Sequence, residues 1–150
     1  MRSNSFRFSL CAISLALVLA FAGPAQAQGE PSLSQGDRQS IFTVIQSQLE
    51  AFARDDGSEA FSYAAPTIRS KFQSPDIFMR MVKSGYPQVY RPQSYEFLGQ
   101  KFAGDNILQA VHLVGPEGLS VVAIYEMERQ SDGSWRVAGV HLVPVEDMTS

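Results

Sequence analysis

A change in the spacing of apolar residues near Tyr86 constrains this chain more than any other feature. Upstream of it, Ile41, Val44, Ile45, Gln48, Leu49 and Phe52 recur at intervals of three and four, which predicts an amphipathic helix starting near Ser34 or Asp37 and ending around Asp55-Asp56-Gly57. Residues 58–65 read as a short second helix carrying Phe61 and Tyr63, stopped by Pro66, which has no amide hydrogen and restricts its predecessor. A turn or half-helix follows through Ile68 and Phe72. Ser74-Pro75-Asp76 then supplies an N-cap, a proline at the first helical position and an acid at the positive end of the dipole, ahead of Ile77, Phe78, Met81 and Val82 and a stop at Gly85. Residues 86–92 hold two prolines and are expected to run extended, as a crossing segment or edge strand. Beyond them the period is two. Residues 93–103, 107–114, 119–130 and 134–145 alternate with turn signals at Gly104-Asp105, Gly115-Pro116-Glu117-Gly118 and Asp132-Gly133. Helices first and an antiparallel meander second make an α+β domain, with N-terminal helices packed on one face of a curved antiparallel sheet.

The first 27 residues are set apart from that domain. Arg2 and Arg7 precede an uncharged apolar run, residues 8–21, which meets Gly23-Pro24 and Ala25-Gln26-Ala27. This is the order of a secretory signal, with cleavage expected after Ala27, and the apolar run is short of the roughly 20 residues of a bilayer span. Residues 28–36 are expected to be a flexible lead-in and 37–147 a single domain, placed in the periplasm or secreted, with no membrane anchor after the signal is removed. The only cysteine of the 150-residue chain, Cys11, lies inside the apolar run. Its loss with the signal leaves the mature chain no disulfide, no thiol nucleophile and no cysteine-ligated zinc. The signal also carries two of the 12 basic residues and none of the 15 acidic ones, so the mature chain is acidic. It has no basic run of the kind that tracks a phosphate backbone, so nucleic acid is not an expected partner.

Counting hairpins from even-length turns pairs Phe102 with Ile107, Val114 with Leu119 and Ser131 with Ser134. One face of the sheet then collects Tyr95, Phe97, Leu108, Ala110, His112, Val114, Val121, Ala123, Tyr125, Met127, Ala138, Val140 and Leu142 as the core face. The other collects Leu98, Val111, Val122, Ile124, Glu126, Glu128, Trp135, Val137, His141 and Val143. This register puts His112 and His141 on opposite sides, which disfavours a metal site, and leaves the core face without a carboxylate to act as a base. The second face is too apolar for solvent, so Val122, Ile124, Trp135 and Val137 are candidate interface residues. A two-fold homodimer through the sheet is the expected cover, because one patch supplies both halves.

The motif Ser74-Pro-Asp-Ile-Phe-Met-Arg-Met-Val, followed by Gly85-Tyr-Pro-Gln-Val-Tyr-Arg-Pro and Tyr95-Glu-Phe-Leu-Gly, resembles the family catalogued as domain of unknown function 4864, found in exported bacterial proteins. The resemblance runs from about Ile41 to Val145. It implies a cone-like fold similar to nuclear transport factor 2 and the ketosteroid isomerase-like proteins, with helices and a bent sheet enclosing a pocket. It implies no established activity, because that fold hosts isomerases, dehydratases, hydrolases, adaptors and dimerisation modules alike.

For such a pocket the polar candidates are Tyr63, Tyr90, Tyr95, His112 and Tyr125, set against the alternative that each is an amphipathic or hydrogen-bonded core residue. Arg91 either binds a carboxylate or phosphate, or pairs with Asp76 or Glu96 to hold the proline-rich segment. The expectation is a non-catalytic dimerisation or small-ligand-binding module without a cofactor, its ligand small and apolar. The rivals are a small isomerase- or dehydratase-like enzyme using His112 with a tyrosine, and an accessory subunit of an envelope complex.

Overall fold

The computed structural model describes residues 32–145, so the segment read as a signal, most of the expected lead-in and the last residues lie outside the described part. Five helices precede four strands: α1 Gln35–Ala53, α2 Gly57–Ser62, α3 Pro66–Phe72, α4 Pro75–Gly85, α5 Pro87–Tyr90, β1 Ser94–Ala103, β2 Asn106–Val114, β3 Ser120–Arg129 and β4 Trp135–Pro144. The strands form one antiparallel sheet in the order β1-β2-β3-β4, so the fold is α+β.

Local chemistry explains where the helices begin. The Ser34 side chain accepts the Asp37 amide at the start of α1, Asp56 does the same for Glu59 at α2, and Ser74 for Ile77 at α4. α1 buries Ile41, Ile45, Leu49 and Phe52 against the sheet and the other helices. Each such side chain contributes about 1.5–3 kcal/mol relative to exposure. The segment expected to run extended contains a helical turn instead. Pro87 occupies the first position of α5, where its missing amide hydrogen would have had no partner, and the Val89 side chain is buried beneath.

The β1–β2 hairpin follows the expected register at its turn, with Phe102 opposite Ile107 and Gly104 at φ +62°. The other two hairpins depart from it by one residue. Gly115 N–H donates to the Leu119 carbonyl, which leaves Pro116-Glu117-Gly118 as a three-residue loop with Gly118 left-handed and pairs Val114 with Ser120, not Leu119. Gln130 N–H donates to Ser134 across a second three-residue loop closed by left-handed Gly133, and Trp135 pairs with Arg129. Both are turns in which a left-handed glycine adds a residue, and an odd loop reverses parity.

The consequence is a reassignment of faces. Val111, expected outside, faces the helices with Ile107, Gln109 and Leu113, opposite the core residues Val121, Ala123, Tyr125 and Met127 of β3. Leu108, Ala110, His112 and Val114 therefore lie on the open face. Trp135 and Val137 belong to the core, only 4% and 5% exposed, and are not interface residues. A bulge between Glu126 and Met127 restores the expected register farther along β4, so Val140 and Leu142 face the helices while His141 and Val143 share the open face with Ile124 and Val122. His112, opposite Val122, is thus on the same face as His141 and not across the sheet from it.

Two further contacts fasten the layers. Ala64 makes a parallel bridge to Val137, with Val137 N–H donating to Tyr63 and Ala65 N–H to Val137, so the outer edge of β4 is partly covered. Trp135 Nε1 donates to Asp37 Oδ1 at 3.0 Å, joining the start of α1 to the last hairpin, and the Arg129 guanidinium lies over the indole. The hydrogen bonds from Ser34 and Trp135, with Arg129 nearby, hold the Asp37 carboxyl below the usual carboxylate range.

Candidate functional site

The helices do not fill the space above the sheet. Between α1, α3, α4, α5 and β4 lies a cleft of about 390 Å³, within the range of small-molecule sites. Its walls are apolar: Phe52 from α1, Ile68 and Phe72 from α3, Phe78, Met81 and Val82 from α4, Val89 from α5, and Val137 and Val140 from β4. Phe78 is the hub of this wall, with ring centroids 5.2, 5.8 and 5.9 Å from Phe61, Phe72 and Phe52. Short loops force the arrangement. Left-handed Gln73 ends α3 and Ser74 immediately caps α4, so the two helices turn sharply against each other and hold their aromatics over the gap.

Three polar side chains reach this lining: Gln48, Lys71 and Tyr86. Gln48 is almost fully buried on the apolar stripe of α1, and its Nε2 donates to the Ala60 carbonyl at 3.0 Å. Its Oε1 accepts no hydrogen bond among the described residues. Lys71, on the last turn of α3, is exposed, with Nζ 5.5 Å from the Phe72 ring centroid and no carboxylate partner among the described residues. Among the described residues, no aspartate, glutamate or histidine lines the cleft.

None of the five expected pocket residues lines it either. The Tyr63 hydroxyl donates to Glu59, and Tyr95 is exposed on β1 with its ring edge-on to Phe97. His112 is half-buried on the open face, because the three-residue loop before β3 reversed its parity. Tyr90 sits at the other side of the helical layer. Its hydroxyl donates to Asp55, whose second oxygen accepts from Arg91 at 2.6 Å and whose first also meets Lys83 Nζ at 3.0 Å. Both cations lie over the Tyr90 ring. The hydrogen bonds from Tyr90 and Lys83, together with the charges of Lys83 and Arg91, lower the Asp55 carboxyl, and the hydrogen bond to Asp55 followed by that to Tyr90 raises the Lys83 ammonium. Arg91 therefore pairs with Asp55, not with Asp76 or Glu96, and ties the proline-rich segment to the end of α1.

Tyr125 is buried on β3 with its hydroxyl unpartnered, and burial raises its ionisation well above the ordinary phenol value. Gln109 Oε1, on the neighbouring strand, is unpartnered as well. An unsatisfied buried hydroxyl destabilises, so Tyr125→Phe is expected to raise unfolding stability in urea by about 1 kcal/mol. A comparable loss would show instead that the hydroxyl is bonded to an internal water.

Sequence reasoning had one usable signal for the true lining. A glutamine inside the apolar stripe of α1 is a buried polar group that needs a reason. The apolar wall carried none, since its residues look like any helix core. The open face keeps the other candidates, Val122 and Ile124, with Val122 only 3% exposed. Among the described residues no three His, Asp or Glu side chains converge as a metal would require, and no helix is long and apolar enough to cross a membrane.

No curated protein and no solved structure matches the chain. Residues 34–150 match the model of the family described as Domain of unknown function (DUF4864), which spans the helical layer and the sheet together, and the chain belongs to that family.

Proposed function

We propose that this is an exported, non-catalytic module that binds a small apolar ligand in the cleft between its helices and β4. The single observation that carries this reading is the chemistry of the lining: ten apolar side chains, three dispersed polar ones and, among the described residues, no carboxylate or imidazole to move a proton. The secretory signal read from residues 1–27 supports an extracytoplasmic site of action, and the resemblance to nuclear transport factor 2-like proteins supports a cone around the cleft. The isomerase-like alternative has less support, because His112 does not line the cleft.

The test is a neutral fluorescent probe, N-phenyl-1-naphthylamine, titrated into the mature protein. Saturable binding at one site per chain is expected, abolished by Val140→Phe, which narrows the cleft from the β4 side; because Val140 also packs against the core, a cooperative urea transition must show that the variant is folded. Absence of saturable binding, or binding unaffected by Val140→Phe, overturns the reading.

The open sheet face favours a second element of the same proposal, pairing of two protomers. Leu108, Ile124 and Val143 share this face with His112 and are each half-buried in the protomer, while Val122 among them is only 3% exposed; a partly exposed apolar face can supply both halves of a two-fold interface. Sedimentation at micromolar concentration is expected to give a dimer that Ile124→Glu converts to monomer; a wild-type monomer would exclude the pairing.

A further inference from the structure

The cleft is apolar, but the charge at its edge has one sign. Among the described residues, Lys71 is the only charged side chain in the lining. The other cations that lie near acids are already engaged: Arg54 with Glu59, Lys83 and Arg91 with Asp55, Arg129 with Asp37. Lys71 has no such partner among the described residues, and its ammonium rests against the Phe72 ring, itself part of the cleft wall. Tyr86 adds a hydroxyl to the same lining and makes no hydrogen bond through it among the described residues.

We infer that the cleft takes an amphiphile with an anionic carboxylate head, its chain along the aromatic and aliphatic wall and its head group at Lys71. This deepens the binding reading above and rests on it. A lysine is a compact point charge that suits a carboxylate oxygen, and at an exposed position the pair adds a modest preference to the burial of the chain. A cationic amphiphile would meet the Lys71 charge with no acid to offset it. A neutral one would bury its chain equally well and leave the ammonium unused. The volume of about 390 Å³ also limits the chain. At ~30 Å³ for each methylene-sized unit, close to the share of a water molecule in the liquid, it holds about thirteen non-hydrogen atoms in all, so a medium-length chain whose head group lies at the edge.

The experiment displaces bound N-phenyl-1-naphthylamine with dodecanoate, dodecanol or dodecyltrimethylammonium, each below its micellar concentration and near neutral pH. Dodecanoate is expected to displace best. Lys71→Met should weaken dodecanoate by about three- to fivefold, the fold-change of losing one exposed ion pair, while dodecanol is unchanged. Lys71→Arg should restore most of the dodecanoate affinity, a rescue that a purely structural lysine would not show. Equal displacement by dodecanol and dodecanoate, or dodecanoate affinity untouched by Lys71→Met, overturns the carboxylate assignment and leaves the apolar-ligand reading standing. Binding of the probe with displacement by none of the three does the same. Failure of the probe itself to bind removes the apolar-ligand reading and this inference with it.

Discussion

Trp135→Ala is expected to destabilise the folded protomer by about 3–5 kcal/mol. The indole is 4% exposed and packs in the core between the helical layer and the last hairpin. Its removal leaves a cavity and strips Asp37 of the Nε1 donor that anchors the start of α1. The loss should appear as a lower urea midpoint whose shift from the wild type is the same at every protein concentration, because the contacts broken lie within one chain. A substitution at a sheet-to-sheet interface would do the reverse, weakening association while the protomer stayed folded. A concentration-dependent loss at Trp135 would therefore contradict its place in the core.

Phe78→Ala should rank beside it, at about 3–5 kcal/mol, and should alter the cleft as well as the fold. The ring touches three other aromatics and forms part of the cleft wall. Truncation joins the vacated volume to the cleft, so the surviving folded protein is expected to admit bulkier apolar probes than the wild type. Phe78→Leu keeps most of the volume and should recover most of the stability. Unfolding in urea measures the first effect and probe titration the second. A stable Phe78→Ala protein with unchanged probe selectivity would mean that this wall does not shape the cleft.

Much of the helical half could be read directly. Ser74-Pro75-Asp76 starts α4 as a local capping signal should, and the three- and four-residue spacing of α1 identifies its buried stripe, Gln48 included. These depend on residues within one or two turns of each other. The proline-rich segment misled, because Pro87 is as compatible with the first position of a helical turn as with an extended chain, and the buried Val89 decides between them. The cleft was legible only as an expectation that some pocket exists. Its lining comes from five elements, and the tyrosines that looked most suitable are occupied elsewhere: Tyr90 by Asp55, Tyr63 by Glu59, Tyr125 inside the sheet core.

The succession of helices and strands, the capped helix starts and the glycines that close the hairpins are properties of the sequence alone, because short-range sterics and hydrogen bonding determine them. The facing of the strands is not. Two loops of three residues and a bulge in β4 decide whether His112 or Val111, and whether Trp135 or its neighbour, meets the helices. Strand side chains alternate with a period of two, so a single added residue exchanges the whole set. Only the packing of the finished core, summed over α1 and all four strands, selects which of those alternatives is lowest in free energy.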